Sequence, residues 1–409
     1  MSKRVVVTGM AGISPIGNDW ATIRANLEKY QNAIIRVPAW AEYTDLHTQL
    51  GAPAHTFTLS DRFNRKTMRS MGRVAIMATR ATEMALEDAG LLDDPVLRSG
   101  DTGISYGSSS GTPMAIAEFG RMLQDKVTKG ITANTYIKMM SHTAPVNIGV
   151  FFGIRGRIIP TSSACTSGSQ GIGYAYEAIR FGKQKVMVAG GAEELCATQA
   201  AVFDTLYATS TRNDTPKLTP SPYDLKRDGL VLGEGAGTLI LEELEHALAR
   251  GARIYAEIVG YGANSDGEHV TNPCSEIMQI AMQLALADAQ LPPSAITYIS
   301  AHGTGTQHGD IAESQATHRL FGSNVPISSL KSYTGHTLGA CGALEAWTAI
   351  EMMRDGWFAP TLNLTQLDPA CGELDYIVGT GRFINSEYVM SNNFAFGGIN
   401  TSLIFKRYS

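Results

Sequence analysis

The sequence lacks the cysteine spacing that disulfide frameworks and zinc sites need. It has five cysteines in 409 residues, an odd number, and none of them forms a CxxC pair. Disulfide-stabilised secreted domains and cysteine-rich zinc sites are therefore not expected, and a reducing cytoplasm is the simplest location. The cysteines are Cys165, Cys196, Cys274, Cys341 and Cys371.

Long apolar runs and positive charge are also scarce. No apolar stretch approaches the roughly 18 residues of a membrane span, so no transmembrane helix is expected. The start, MSKRVVVTGM, has only a short apolar run, which does not resemble a signal peptide. The net charge of −5 provides no global positive field to attract nucleic acid. Neither a membrane nor a nucleic-acid partner is predicted.

The chain does have the material for a large core. Apolar residues make up 44% of it, charged residues 17%, and its 42 glycines permit many tight turns. Strand-like apolar runs, such as residues 5–8, alternate with segments of helical spacing, such as residues 68–85 and 275–290. This alternation predicts an α/β fold. A seam near residues 250–253 would divide the chain into halves 1–252 and 253–409.

Cys165 lies in PTSSACTSGSQGIG, between an apolar run and a helix-like segment. A free cysteine is most often a small buried hydrophobe, which is the interpretation that fits Cys196 and Cys341. Cys165 differs because small polar residues and glycine surround it. A strand-to-helix turn would place free N–H groups and the helix dipole at its sulfur, favouring a thiolate and an oxyanion site. The segment alone leaves both interpretations open.

Two histidines lie in glycine-rich segments. His302 is in AHGTGTQHGD and His336 is in KSYTGHTLGACGALE. A lone histidine is more often structural, but two in such turns are harder to dismiss. Neither is accompanied by a third ligand at metal spacing, so no metal site is expected. One cysteine with two histidines favours thiol-based acyl chemistry.

A fourth segment, SNNFAFGGINTSL, ends the chemistry-bearing part of the chain. Gly397 and Gly398 allow close backbone approach, and Phe394 and Phe396 are bulky. The simple interpretation is a β-turn with two core aromatics. The functional interpretation is a loop whose amide meets the nucleophile and whose ring gates a pocket.

Together these segments resemble the active-site blocks of the β-ketoacyl-acyl carrier protein synthases, most closely the elongating Cys-His-His type. MSKRVVVTGMAGISPIG, LTPSPYDLKRDGLVLGEGAGTLILEE and GANSDGEHVTNP are similar to that family too, so the resemblance spans nearly the whole chain. It implies a thiolase-type fold, with two similar α/β halves in a layered αβαβα arrangement. It also implies an acyltransferase that acts as a dimer and condenses an acyl thioester with malonyl-acyl carrier protein.

The resemblance assigns roles residue by residue. Cys165 would carry the acyl chain, and His302 and His336 would promote malonyl decarboxylation. The amides of Cys165 and Phe396 would form the oxyanion hole, while Lys331 and Glu313 would support position and charge balance. If Lys331 and Glu313 face each other in a dry site, they should pair, because lone buried charges are costly. No metal or organic cofactor is implied, because the cysteine holds the acyl group.

The resemblance also implies a substrate pocket and a docking surface. The pocket and gate residues would be Ser110, Phe203, Thr271, Thr304, Thr306, Tyr333, Phe394, Phe396 and Gly397. An acidic acyl carrier protein would dock on Arg65, Lys66 and Arg69 in FNRKTMRSMGR, whose basic residues have roughly helical spacing; a solvated helix face is the plainer alternative. Tyr207 stands where the family often has arginine.

Three positions depart from the family pattern and bear on substrate. They are Ser110, Tyr333 and Ala395, and they suggest a more polar pocket than a saturated chain needs. Fatty-acid synthesis and type II polyketide synthesis, including aryl polyenes, therefore both remain open, as does pairing with a second copy or with a related chain-length subunit. A non-catalytic chain-length partner is the alternative from another class, and Cys165 counts against it. A degradative thiolase would have a second cysteine near the last glycine loop, and NNFAFGGIN has none.

Overall fold

The structure is a computed structural model that describes residues 2–408, in which strands and helices alternate along the chain. The strands are β1 (Val5–Ile13), β2 (Ile35–Arg36), β3 (Leu50–Ala52), β4 (Thr102–Gly107), β5 (Ile158–Thr161), β6 (Val186–Glu193), β7 (Leu232–Gly233), β8 (Gly235–Glu243), β9 (Ala256–Ser265), β10 (Tyr298–Ser300), β11 (Pro326–Ser328), β12 (Trp357–Phe358), β13 (Asp375–Tyr376), β14 (Arg382–Phe383), β15 (Tyr388–Ala395) and β16 (Ile399–Arg407). The α-helices are α1 (Trp20–Glu28), α2 (Arg73–Asp88), α3 (Pro113–Asp125), α4 (Ala133–Met139), α5 (Thr143–Phe152), α6 (Ser167–Arg180), α7 (Ala197–Asp204), α8 (Leu244–Ala249), α9 (Ser275–Ala289), α10 (Gln307–Phe321), α11 (Lys331–Thr334) and α12 (Cys341–Asp355).

The first half of the chain builds a set of five strands. Their order across the sheet is β5-β4-β6-β8-β1. Strand β4 is parallel to β5 and β6, whereas β8 is antiparallel to β6 and β1. Every residue of β1 and β6 is buried, so these strands lack the alternation of a sheet with one face in water. Helices must therefore cover both faces.

The second half repeats this arrangement. Its order is β11-β10-β15-β16-β9, with the same sequence of parallel and antiparallel pairs, and β13 adds an edge beside β11. The first strands of the two halves, β1 and β9, pair antiparallel through residues 5–7 and 256–258, which joins the two sets into one sheet. Two halves with one strand order are what the sequence resemblance implies.

Helices α6 and α12 form the middle layer, because each contacts strands of both halves and they contact each other. Glycine permits this closeness: a Cβ on Gly342 would lie 2.6 Å from the backbone nitrogen of Ser169. Helices α2 and α5 cover the outer face of the first set, and α9 covers that of the second, with α10 beside it. The predicted α/β fold with αβαβα layers is confirmed.

Two sequence expectations need comment. The helix predicted over residues 68–85 begins only at Arg73, because residues 61–70 form turns. The basic residues before it therefore do not lie on a helix, and their spacing in the sequence does not place them on one helical face. The predicted seam falls in the loop between α8 and β9, and its role as a domain boundary stays a prediction. Among residues 2–408, no helix has both the length and the apolarity to cross a membrane.

Candidate active site

Cys165 sits in a strained turn at the start of a central helix. Strand β5 ends at Thr161, a single 3-10 turn covers Ala164–Thr166, and α6 begins at Ser167. Ala164 has φ of +50°, a left-handed conformation that costs free energy for a residue with a Cβ. The Ser163 amide donates to Ser167 Oγ at 3.0 Å, and Ser167 Oγ donates to the Ala164 carbonyl at 2.7 Å. These bonds hold the turn that aims the sulfur.

The sulfur is buried, and this corrects one sequence expectation. Cys165 is 2% exposed, and burial raises the pKa of its thiol to about 11. The backbone amide of Phe396, the charge of Lys331 and the Cys165 amide lower that pKa, but desolvation outweighs them. The expected resting thiolate is therefore wrong, and the group is a thiol at neutral pH. It must lose its proton as it reacts.

His302 and His336 converge on this sulfur. One ligand atom from each imidazole and the sulfur of Cys165 all lie within 4.8 Å of one another. The rings meet edge to face, with centroids 5.1 Å apart and an interplanar angle of 88°. Burial and the charge of Lys331 hold the pKa of both imidazoles well below the usual range, so both are neutral. Neutral imidazoles can each offer one N–H to a developing oxyanion.

Lys331 determines which nitrogen of His302 carries the proton. Its ammonium nitrogen lies 3.2 Å from His302 Nδ1 and 2.5 Å from Glu345 Oε1. Because an ammonium only donates, His302 Nδ1 must accept, and the ring proton is on Nε2. Glu345 also accepts from Asn393 Nδ2 at 2.7 Å, and its charge keeps the pKa of Lys331 raised despite burial.

The predicted pairing of Lys331 with Glu313 is wrong, because Lys331 pairs with Glu345. Glu313 instead accepts the backbone amides of His302 and Gly303, both at 2.7 Å, and the Tyr223 hydroxyl at 3.0 Å. It fixes the main chain that carries His302. Burial raises the pKa of Glu313 to about 7, while the two amides lower it.

Two groups of side chains here have metal-ligand chemistry. The first is Cys165, His302 and His336, so a third ligand does accompany the histidines in space, contrary to the sequence expectation. The proton on His302 Nε2 opposes coordination there. The second is His302, Cys341 and Glu345, and the Lys331 ammonium already lies against two of its members. Both groups therefore fit proton and oxyanion chemistry better than a resident metal.

A cavity of about 480 Å³ opens onto the sulfur and both imidazoles. Phe203 and Phe396 stand beside it with ring centroids 4.9 Å apart at 71°. Its lining includes most of the predicted pocket residues: Phe203, Thr271, Thr304, Thr306, Phe394 and Phe396.

Three predicted pocket residues do not line this cavity. Tyr333 is 0% exposed and packs in the main apolar core, and Ser110 lies in the turn after β4. Gly397 is in the gate loop with φ of +87°, and its amide donates to the Val270 carbonyl at 2.8 Å. Gly397 thus lies in the gate loop as predicted, while a pocket role for Ser110 and Tyr333 stays a prediction, because neither contacts this cavity.

The predicted docking residues are at the surface. Arg65, Lys66 and Arg69 are all exposed in the turns before α2. Arg73, at the start of that helix, is instead paired with Glu234 at 2.5 Å. Tyr207 is 86% exposed beside the cavity mouth, where it adds no positive charge.

Sequence reasoning missed three side chains that the fold brings to the site. Asn393 bonds to Glu345, and Cys341 donates its S–H to the Cys165 carbonyl at 3.2 Å. Glu193 accepts four hydrogen bonds behind the nucleophile. Asn393 lies within the NNFAFGGIN segment. The residues next to Cys341 and Glu193 in the sequence give no signal of the contacts that these two side chains make with residues far away in the chain.

Comparisons with known proteins give a consistent family. Residues 2–247 match the family described as "Beta-ketoacyl synthase, N-terminal domain" and residues 255–365 match "Beta-ketoacyl synthase, C-terminal domain". The chain is 40% identical to the 3-oxoacyl-[acyl-carrier-protein] synthase 1 of Haemophilus influenzae, with all of both chains covered. It is 36% identical to the Escherichia coli synthase 1, with 99% of each covered.

Solved structures agree with this family. A β-ketoacyl synthase from Burkholderia phymatum is 60% identical over all of both chains, with a TM-score of 0.98. The ishigamide ketosynthase/chain length factor is 29% identical over all of both chains, with a TM-score of 0.89. A type II polyketide ketosynthase, solved with its acyl-carrier protein and bound to the hexaketide, is 29% identical with the same coverage and a TM-score of 0.88.

Proposed function

The chain belongs to the β-ketoacyl synthase family, and from that premise we propose that Cys165 carries the acyl group in a decarboxylative Claisen condensation with malonyl-acyl carrier protein. One observation carries the proposal. A thiol and two neutral imidazoles have their reactive atoms within 4.8 Å of one another at the end of a cavity of about 480 Å³. The reaction needs no resident cofactor, because the sulfur holds the acyl group covalently.

The first half-reaction is acyl transfer to Cys165. Its sulfur bonds to the acyl carbon, the bond from that carbon to the carrier's sulfur breaks, and the Cys165 proton ends on the released carrier thiol. The amides of Cys165 and Phe396 stabilise the oxyanion that forms on the thioester oxygen.

The second half-reaction uses both imidazoles as donors. Loss of CO₂ from the malonyl group leaves an enolate whose charge lies on the thioester oxygen. The Nε2–H of His302 and an N–H of His336 stabilise that charge. The enolate carbon then bonds to the acyl carbon, the bond from that carbon to Cys165 sulfur breaks, and the released thiolate takes a proton from solvent. Lys331, Glu345 and Glu313 hold the donors in place.

The partners we propose are an acyl carrier protein and a second ketosynthase-like chain. Lys66 and Arg69 offer exposed positive charge to an acidic carrier protein. Helix α3 leaves Met114, Ile116 and Leu123 exposed, which suits burial against another subunit. Whether that subunit is a second copy or a related chain-length protein sets the oligomer type. The five cysteines are free thiols, which supports a cytoplasmic location.

The biosynthetic pathway is the most specific element of the proposal. A relative named 3-oxoacyl-[acyl-carrier-protein] synthase 1 and a type II polyketide ketosynthase both resemble the chain. Ala395 lines the cavity where the family commonly has glycine, and its Cβ restricts the gate loop. We propose that this gate admits a narrower set of acyl groups than a flexible one.

Intact-mass measurement tests the chemistry. The enzyme is incubated with a panel of acyl-carrier proteins bearing saturated, unsaturated and aromatic acyl groups. We expect a mass increase of one acyl group on the wild type and none on Cys165→Ala. Cys371→Ala, which removes another buried thiol, is the matched control and should still be acylated. An adduct that persists in Cys165→Ala would refute the assignment, and the accepted acyl groups identify the pathway.

A further inference from the structure

A buried carboxylate behind the nucleophile joins parts of the site that are far apart in the chain. Glu193, the last residue of β6, is 0% exposed. It accepts the Ser109 amide at 2.9 Å, the Ser109 hydroxyl, the Gly339 amide at 3.1 Å and Gln199 Nε2 at 3.0 Å. No cationic side chain forms an ion pair with it within residues 2–408. Because only neutral groups donate to this carboxylate, its role is not to form a salt bridge.

Two of the donors, Gly339 and Gln199, belong to segments that shape the site. Gly339 lies in the 3-10 turn Leu338–Ala340, which follows His336. Gln199 lies on α7, four residues before Phe203, whose ring packs on the gate residue Phe396. Leu338 and Phe203 also pack in one apolar cluster with Cys165. The carboxylate therefore connects the turn of a catalytic histidine to the helix that supports the gate.

The packing around this carboxylate leaves little freedom. A Cβ on Gly339 would lie 2.9 Å from Glu193 Oε2 and 2.8 Å from the Ser109 amide. The main chain of the turn that follows His336 therefore packs directly against the carboxylate. Burial raises the pKa of Glu193 to about 7, while its donors lower it, so the hydrogen bonds offset much of the desolvation cost.

We propose that Glu193 is a positioning residue, which fixes the His336 turn and the Phe203 helix relative to Cys165. The inference rests on the proposed condensation for its kinetic consequence, but its geometry does not. Misplacement of a reacting group by about 1 Å can cost roughly 100-fold in rate. Loss of this anchor should therefore lower the rate of chemistry more than the binding of carrier protein, which involves a different surface.

The variant pair Glu193→Ala and Glu193→Gln separates positioning from charge. In Glu193→Ala three segments lose their common acceptor, so malonyl decarboxylation should fall about 10- to 100-fold with KM nearly unchanged. Glu193→Gln should keep most activity. Gln199 Oε1 has no hydrogen-bond partner in the described part of the chain, so that amide can turn to accept from the new side chain.

Milder variants keep the test decisive if Glu193→Ala does not fold. Ser109→Ala and Gln199→Leu each remove donors, and both should lower decarboxylation. Gln184→Leu is the matched control, since Gln184 is a buried amide just before β6 that bonds to Gly100 and Arg157 far from the site. It should change stability without changing the rate of folded enzyme. Equal losses in Gln184→Leu and Gln199→Leu would overturn the proposal.

A substrate-free measurement separates this inference from the proposed function. Alkylation of Cys165 by iodoacetamide at fixed pH reports how the gate covers the sulfur. Both variants remove a charge that raises the pKa of Cys165, so the comparison is between them, and we expect Glu193→Ala to be alkylated at a different rate from Glu193→Gln. If the wild type does not decarboxylate malonyl-carrier protein, the proposed function is wrong. The alkylation rates alone then test the positioning role of Glu193. If Glu193→Ala is alkylated and decarboxylates at the same rates as the wild type, the positioning role is overturned.

Discussion

Replacing Lys331 by methionine should harm both stability and chemistry, for two separable reasons. The ammonium is 1% exposed and lies 2.5 Å from Glu345 Oε1. Methionine keeps the length and apolar stem of the side chain but removes the charge and every donor. Glu345 then keeps only the Asn393 amide, and His302 Nδ1 loses the donor that holds its proton on Nε2.

The two effects have different expected sizes. Breaking a buried ion pair by removing one partner typically costs about 3–5 kcal/mol, because the other charge stays buried and unpaired. Loss of one oxyanion donor typically lowers kcat by about 10²–10³. If the His302 tautomer depends on Lys331, decarboxylation should fall within that range even at temperatures where the variant is folded.

The double variant Lys331→Met/Glu345→Gln distinguishes the two. Removing the orphaned charge should restore much of the free energy of unfolding, measured by chemical denaturation. Decarboxylation should stay low, because His302 Nδ1 then keeps only the longer contact with Asn393 Nδ2, at 3.5 Å, in place of the ammonium at 3.2 Å. Lys185→Met, which breaks an exposed pair with Asp101, is the control and should cost at most about 1 kcal/mol.

Two outcomes would refute this reasoning. If Lys331→Met costs less stability than the surface control, the buried pair does not contribute as argued. If decarboxylation recovers in the double variant together with stability, the ammonium acts only through folding and not through the tautomer of His302.

Three further predictions follow from the same geometry. His302→Ala and His336→Ala should each still become acylated yet decarboxylate malonyl-carrier protein about 10²–10³ more slowly, and a native rate in either would remove that residue from the mechanism. Because burial raises the thiol pKa to about 11, alkylation of Cys165 should keep rising with pH through the neutral range, and a plateau below pH 9 would contradict the buried thiol. Charge reversal at Lys66 and Arg69 should raise the KM for carrier-bound substrate while sparing kcat, and an unchanged KM would place docking elsewhere.

The fold could be predicted from local pattern because its central strands, such as β1 and β6, are buried on both faces. Continuous apolar runs such as residues 5–8 and 186–189 identify strands without long-range information. The prediction failed where apolar residues have helical spacing but no helix forms. Met68 belongs to a turn and Met71 to the irregular segment before α2, and Phe63 and Met71 pack with Ala75 of α2 in a small apolar cluster.

The site was harder, because its partners depend on tertiary contacts. The sequence indicates that Lys331 needs a buried carboxylate but cannot choose between Glu313 and Glu345. The fold makes the choice: Glu313 turns back to the amides of its own His302 loop, and Glu345 projects from α12 onto the ammonium. The prediction of a thiolate at Cys165 failed for a related reason. Amides and helix dipole are local, whereas desolvation comes from Leu338, Phe203 and other residues remote in sequence.

The two halves place their turns alike, yet only the turn of the first half contains a cysteine. Ala164 and Leu338 both have positive φ, each begins a three-residue 3-10 turn, and a central helix follows at Ser167 and at Cys341. Cys165 therefore corresponds in position to Gly339. A Cβ at Gly339 would collide with Glu193 and Ser109, so the second turn has no room for a nucleophile. The amide of Gly339 instead anchors the turn that follows His336. The same local geometry therefore holds a nucleophile in one half and supports a catalytic histidine in the other.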